Sequence, residues 1–82
     1  MQYVYVIESV EKNYIYVGMT NNVGSRLRQY QSGKSKTTKA YTPFRHILTE
    51  VYKTRVETRE REKYLKSGIG KEWIKREILG RL

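Results

Sequence analysis

Aromatic and β-branched residues alternate along two short runs near the start of the chain, Tyr3-Val4-Tyr5-Val6-Ile7 and Tyr14-Ile15-Tyr16-Val17. Between them lies Val10-Glu11-Lys12-Asn13, which has turn character. This pattern predicts an antiparallel hairpin over residues 3–20. Successive side chains of a strand point to opposite faces, so Tyr3, Tyr5 and Ile7 share one face and Val4, Val6 and Glu8 the other. In the second strand Tyr14, Tyr16 and Gly18 oppose Ile15, Val17 and Met19. Pairing the two tyrosine faces puts the Tyr5 and Tyr16 phenols on one side and sends the aliphatic side to the core. Gly18 weakens a strand, and marks a bulge or a close backbone approach where the chain turns into a helix. Tyrosines of half-buried sheets also serve simply as packing with a satisfied hydroxyl, so the hairpin alone leaves both readings open.

The period then changes. Val23, Leu27 and Tyr30 follow helical spacing and form the buried stripe of a helix over residues 23–32, capped by Asn21 or Asn22 and stopped by Gly33. Arg26 lies beside that stripe, one turn before Tyr30: either a guanidinium held against a phenol or a snorkelling surface arginine. Residues 33–42 are small and polar, with Lys34, Lys36 and Lys39 interleaved. Such a loop suits phosphate contacts, or is an ordinary solvated connection. After Pro43 a third strand runs over residues 44–52, carrying Ile47, Leu48, Val51 and Tyr52.

Thr54-Arg55-Val56-Glu57 has the form of a capping box and opens a basic helix ending near Ser67, with Gly68 as its stop. On that helix Thr58, Glu62, Leu65 and Ile69 fall in one narrow angular band. Glu62 is the acid in that band, and a carboxylate facing a core needs a cation or hydrogen-bond partner. It is either a metal ligand or half of an internal salt bridge, with Arg26 as the partner considered. Gly70 restarts the chain into a last helix over residues 71–79, anchored by Trp73, Ile74 and Ile78. The order β-β-α-β-α-α predicts an α+β domain: a three-stranded antiparallel sheet flanked by helices.

A chain of 82 residues holds one core, so residues 1–82 are expected to form a single domain. Without cysteine and with a single histidine, His46, neither a disulfide frame nor a Cys- or His-rich metal site can be built. The absence of a long apolar run and of a signal-peptide pattern predicts a soluble, cytoplasmic protein that does not enter a membrane. The charge changes the picture most: 17 Lys and Arg against eight acids, all Glu, give +9. Nucleic acid is the expected partner of such a field.

Taken together the motifs resemble the GIY-YIG nucleases, specifically their small single-domain bacterial members. Tyr3-Val4-Tyr5 and Tyr16-Val17-Gly18 look like the paired tripeptides. Gly18-x-Thr20, Arg26-Leu27, Pro43, Arg61-Glu62-x-x-Leu65-Lys66 and Gly70-x-x-Trp73 continue the likeness over nearly the whole chain. The resemblance implies that Tyr5 and Tyr16 are the signature tyrosines, one of them positioning or deprotonating the attacking water. It implies that Arg26 stabilises charge on the scissile phosphate and that Glu62 holds one divalent metal ion, Mg²⁺ or Mn²⁺. Tyr30 stands where many members have His. Tyr3 replaces the first signature Gly, and the Asn that some members carry late in the domain is missing.

The chemistry of the residues agrees with one ion. Two-metal nucleases need clustered carboxylates holding ions about 4 Å apart, and a chain with no Asp and one inward Glu cannot supply them. Mg²⁺ tolerates one or two carboxylates, since it keeps several waters. With no suitable His as base a phenol must serve, and its ordinary pKa of about 10 would have to be lowered by nearby cations. The expected activity is metal-dependent endonucleolytic cleavage of DNA at branched, flapped or single-stranded sites, with Gly18, Lys34, Lys36 and Lys39 contacting the nucleic acid. Sequence specificity is expected to be low unless a partner protein supplies it. The alternatives are a non-catalytic nucleic-acid-binding module of the same fold and an adaptor using the basic helix.

Overall fold

A computed structural model describes residues 1–33 and 39–80. Three strands form one antiparallel sheet in the order β2-β1-β3, with β1 (Gln2–Ser9) central, β2 (Ile15–Thr20) its hairpin partner and β3 (Phe44–Tyr52) on the other side. Strand β3 spans the residues its composition predicts. The central place of β1 accounts for its burial on both faces from Val4 to Ser9.

Each face has its own core. Val4, Val6, Ile15 and Val17 pack with Leu65 and Ile74, carried by α2 (Arg55–Lys66) and the helical segment after it. On the opposite face Tyr5 and Ile7 pack with Tyr30 and Phe44, flanked by Tyr14, Tyr16, Leu27 and Tyr41. Tyr30 and Leu27 belong to α1 (Val23–Gln31). The aliphatic side faces a core as expected, and the aromatic side forms a second one, because α1 lies over it.

The helix ends follow local chemistry. The Asn22 side chain accepts a hydrogen bond from the Ser25 N–H at 3.0 Å, so Asn22 rather than Asn21 is the cap of α1. Gly33, at φ 72°, takes the left-handed conformation that ends the helix. Gln31 then ties α1 to the start of β3, donating through Nε2 to the Phe44 carbonyl at 2.6 Å and accepting from its N–H at 2.9 Å. Thr54 caps α2: the Glu57 N–H donates to Thr54 Oγ1 at 3.2 Å, and that hydroxyl donates to Glu57 Oε1 at 2.9 Å. Helix α2 is clamped to β3 by Arg61, whose Nε and Nη2 donate to the two Glu50 oxygens at 2.8 and 3.1 Å. The same guanidinium lies against the Tyr64 and Trp73 rings.

The C-terminal part departs from expectation. Ser67 is extended and both ends α2 and caps α3 (Gly68–Trp73), its Oγ accepting from the Gly70 N–H at 3.1 Å. Gly68 is thus the first residue of α3 rather than a stop, and Gly70 lies inside it. The break at Ser67 resets the helical phase, so Ile69, expected on the buried band, is 71% exposed. Residues Ile74–Ile78 form a π-helical turn closed by the Leu79 N–H to the Ile74 carbonyl at 2.9 Å. Ile74 is buried and Trp73 half-buried as expected, but Leu79 packs on the core and Ile78 is exposed.

Candidate active site

The hairpin register places Tyr5 directly opposite Gly18 and Ile7 opposite Tyr16. The Tyr5 ring lies across Gly18: a methyl group on that glycine would overlap the phenol oxygen. Gly18 is thus the close approach its sequence position predicts, and what approaches is a side chain of the same hairpin. Gly18 is buried. There it makes room for a ring.

Three phenols gather at this point. The Tyr5 and Tyr30 hydroxyls are hydrogen-bonded at 2.9 Å. The Tyr16 ring lies 6.3 Å from that of Tyr5 and 5.2 Å from that of Tyr30. Tyr5 and Tyr30 are buried, whereas Tyr16 is half-buried at the edge strand. Burial is the main influence on Tyr5, pushing its pKa up to about 12. The Tyr30 hydrogen bond opposes that rise, the nearby Tyr16 adds to it, and the charges of Arg26 and Glu62 act on the same phenol in opposite directions. Tyr30 is pushed up further, chiefly by burial and then by its hydroxyl neighbours. The expectation that surrounding cations lower the phenols is therefore reversed for Tyr5, where loss of solvent outweighs Arg26, and for Tyr30, where burial and the neighbouring phenols all act upward.

Arg26 and Glu62, which are 36 positions apart (62 − 26), thus both come within electrostatic reach of one phenol. Arg26 is exposed on α1, and Nη1 donates to Gln29 Oε1 at a long 3.5 Å. Helix α2 presents Glu62 between buried Thr58 and Leu65, and its side chain is 18% exposed. Its cation is Lys66, 3.5 Å away, not Arg26. Neither Gln29 nor Lys66 could be singled out from sequence: both sit on the polar sides of their helices, and only i, i+3 and i, i+4 geometry connects them to the site.

A metal ion at this place would rest on Glu62. Among the described residues no group of three or more His, Cys, Asp or Glu could hold one. A single, largely covered carboxylate with one long ion pair fits a hard cation that completes its shell with water, and does not fit a dinuclear centre. Lys39 is exposed and opens a short 3₁₀ turn (Lys39–Tyr41). Lys34 and Lys36 lie outside the described residues.

The model of the GIY-YIG catalytic domain matches residues 1–75 of this chain. No curated protein and no solved structure matches it.

Proposed function

Because the chain belongs to the GIY-YIG family of nuclease domains, we propose that it is a metal-dependent endonuclease that hydrolyses phosphodiester bonds in DNA by attack of water. The observation that carries this reading is the Tyr5–Tyr30–Tyr16 cluster, with the charges of Arg26 and Glu62 both acting on Tyr5.

The residues divide the work by their chemistry. Arg26 has no carboxylate partner among the described residues, so its guanidinium is available to bind the non-bridging oxygens of the reacting phosphate and to stabilise charge developing there. Glu62 would hold one Mg²⁺ or Mn²⁺ ion, which when bound supplies Lewis-acid stabilisation of the phosphoryl group. Tyr5, raised to about 12, keeps its proton at neutral pH and acts as a hydroxyl that orients its neighbours. Tyr16 is the phenol with access to water and is assigned to aligning the attacking water; to take that water's proton it first gives its own to solvent and acts as the phenolate. In-line attack then breaks the bond from phosphorus to the 3′ oxygen, which takes a proton from solvent, leaving a 5′-phosphate and a 3′-hydroxyl. Branched, flapped or single-stranded DNA is the proposed substrate, with repair as its setting and a partner protein as a source of added specificity.

The test is a nicking assay on supercoiled plasmid and on fork and flap substrates, with Mg²⁺ or with EDTA. Metal-dependent nicking is expected, lost in Arg26→Ala and in Glu62→Ala while both variants still bind DNA. Nicking that persists in Glu62→Ala would remove the metal assignment. Binding without cleavage on every substrate and divalent ion would leave a non-catalytic nucleic-acid-binding module of the same fold.

A further inference from the structure

The arginines among the described residues fall into two sets. Three of them sit against glutamates: Arg45 on Glu8 at 2.6 Å, Arg61 on Glu50 at 2.8 Å and Arg76 on Glu77 at 3.2 Å. Among the described residues the other four, Arg26, Arg28, Arg55 and Arg59, form no ion pair, and all four are exposed on α1 or the first half of α2. A guanidinium held by a carboxylate serves the fold. One left without an acid is open to an external anion.

The surface between these four is continuous. Arg28 lines a cleft on α1 with Ser25 and Gln29, and those two residues also line the next cleft, which holds Arg26. Thr20, Asn21 and Arg26 are shared in turn with a cleft that reaches Arg55 at the start of α2. Arg55 is shared with a last cleft along α2, where Arg59 and Lys63 follow. Among the described residues lining these clefts Glu60 is the acid. Arg26 therefore stands in the middle of a basic path that leaves it in two directions.

We infer that this path is the track of a nucleic-acid strand, in which Arg28 on one side and Arg55, Arg59 and Lys63 on the other grip phosphates flanking the one at Arg26. The inference rests on the nuclease reading and narrows its substrate to a strand that continues past the site at both ends. An internal phosphodiester would fill every cleft of the track, while a terminal nucleotide would leave one arm empty. The grip is on the backbone and carries no base readout.

The experiment is binding, kept apart from cleavage by working in EDTA. A fluorescently labelled duplex is titrated by anisotropy across a range of salt concentrations, with the wild-type chain, Arg55→Gln/Arg59→Gln and Lys71→Gln/Lys75→Gln. The last pair carries the same charge change but lines a separate cleft with Asn13, Tyr14 and Ile15. Each phosphate contact contributes about 0.9 to the slope of log affinity against log salt. The arginine pair is expected to lower that slope by about 1.8 and to weaken binding about ten- to a hundredfold near 0.1 M salt. The lysine pair should leave the slope unchanged, and Arg28→Gln alone should lower it by about 0.9. Equal slope losses in both pairs would mean that net charge alone drives binding, and no loss in the arginine pair would mean that no phosphate lies there; either overturns the track. Loss confined to the arginine variants supports it even if wild-type protein cuts nothing, a result that sinks only the nuclease reading. Nicking by a protein whose binding ignores Arg55 and Arg59 sinks only the track.

Discussion

Gly18 and Tyr5 act as one unit, since the ring occupies the space that any side chain on the glycine would need. A flexible side-chain tip can often yield to a new methyl group, but this ring is buried and its hydroxyl is tied to Tyr30. Gly18→Ala is therefore expected to lose about 1–3 kcal/mol of stability through overpacking and to lose nicking, because the displaced ring pushes into the neighbouring Tyr16 and Tyr30 rings. A denaturant midpoint identical to that of the wild type would contradict the overlap. The two signature tyrosines should separate in the same way. Tyr5→Phe removes one buried hydrogen bond, costing about 1 kcal/mol, and retains most activity. Tyr16→Phe should leave stability nearly unchanged and lower the single-turnover rate about a hundredfold or more. Equal rate losses in the two would move the water-handling role away from Tyr16. The glycine's close approach was legible from its place in a strand, and the Tyr5–Tyr16 neighbourhood from alternation. The Tyr5–Tyr30 bond was not, because nothing local links residues 25 apart.

At the scale of elements, the boundaries that sequence predicted well are those fixed by a side chain of known local habit. Asn22, Gly33 and the Thr54–Glu57 pair each act within a few residues of where they stand. The passage from α2 to α3 was misplaced because its punctuation is Ser67, whose capping role depends on the extended backbone around it. Gly70 then reads as a restart but is a packing residue: a methyl group there would overlap the Tyr64 carbonyl and crowd Leu65. Both obstacles include backbone, so α2 and α3 would have to separate. Gly70→Ala is expected to cost about 3 kcal/mol, seen as a lower melting temperature, while Gly68→Ala, with open space around it, should be tolerated. The fold class, the strand order along the chain and the buried places of Leu65 and Ile74 were legible from periodicity. Ile69 and Ile78 were not, since a reset of phase and a π turn are products of packing rather than of sequence spacing.

At the scale of the whole molecule, the protein holds its charges and its phenols under opposite regimes. Most cations are exposed, whereas four of the eight tyrosines, Tyr5, Tyr14, Tyr30 and Tyr52, are pushed above their ordinary pKa, each chiefly by burial. A phenol whose folded pKa exceeds its unfolded one binds more protons in the native state throughout the interval between them. Its stabilising contribution is complete below the unfolded value of 10.0 and disappears as pH climbs through the folded value, about 12 for Tyr5. Glu50 has the opposite sign. Burial pushes it up, but its bonds from Arg61 and Tyr52 prevail and hold it below 4.5, so its contribution exists above that pH and fades on acidification through the folded value. The expected profile is a plateau between about pH 5 and 10, bounded by an acid loss that an Arg61→Met variant diminishes and by a cooperative alkaline loss. Phenolate absorbance followed alongside far-ultraviolet circular dichroism checks the alkaline side. The buried Tyr5 and Tyr30 should ionise only together with unfolding. If Tyr5 and Tyr30 ionise while the dichroism stays native, the aromatic core is open to water, and the neutral Tyr5 on which the assignment to Tyr16 depends is lost with it.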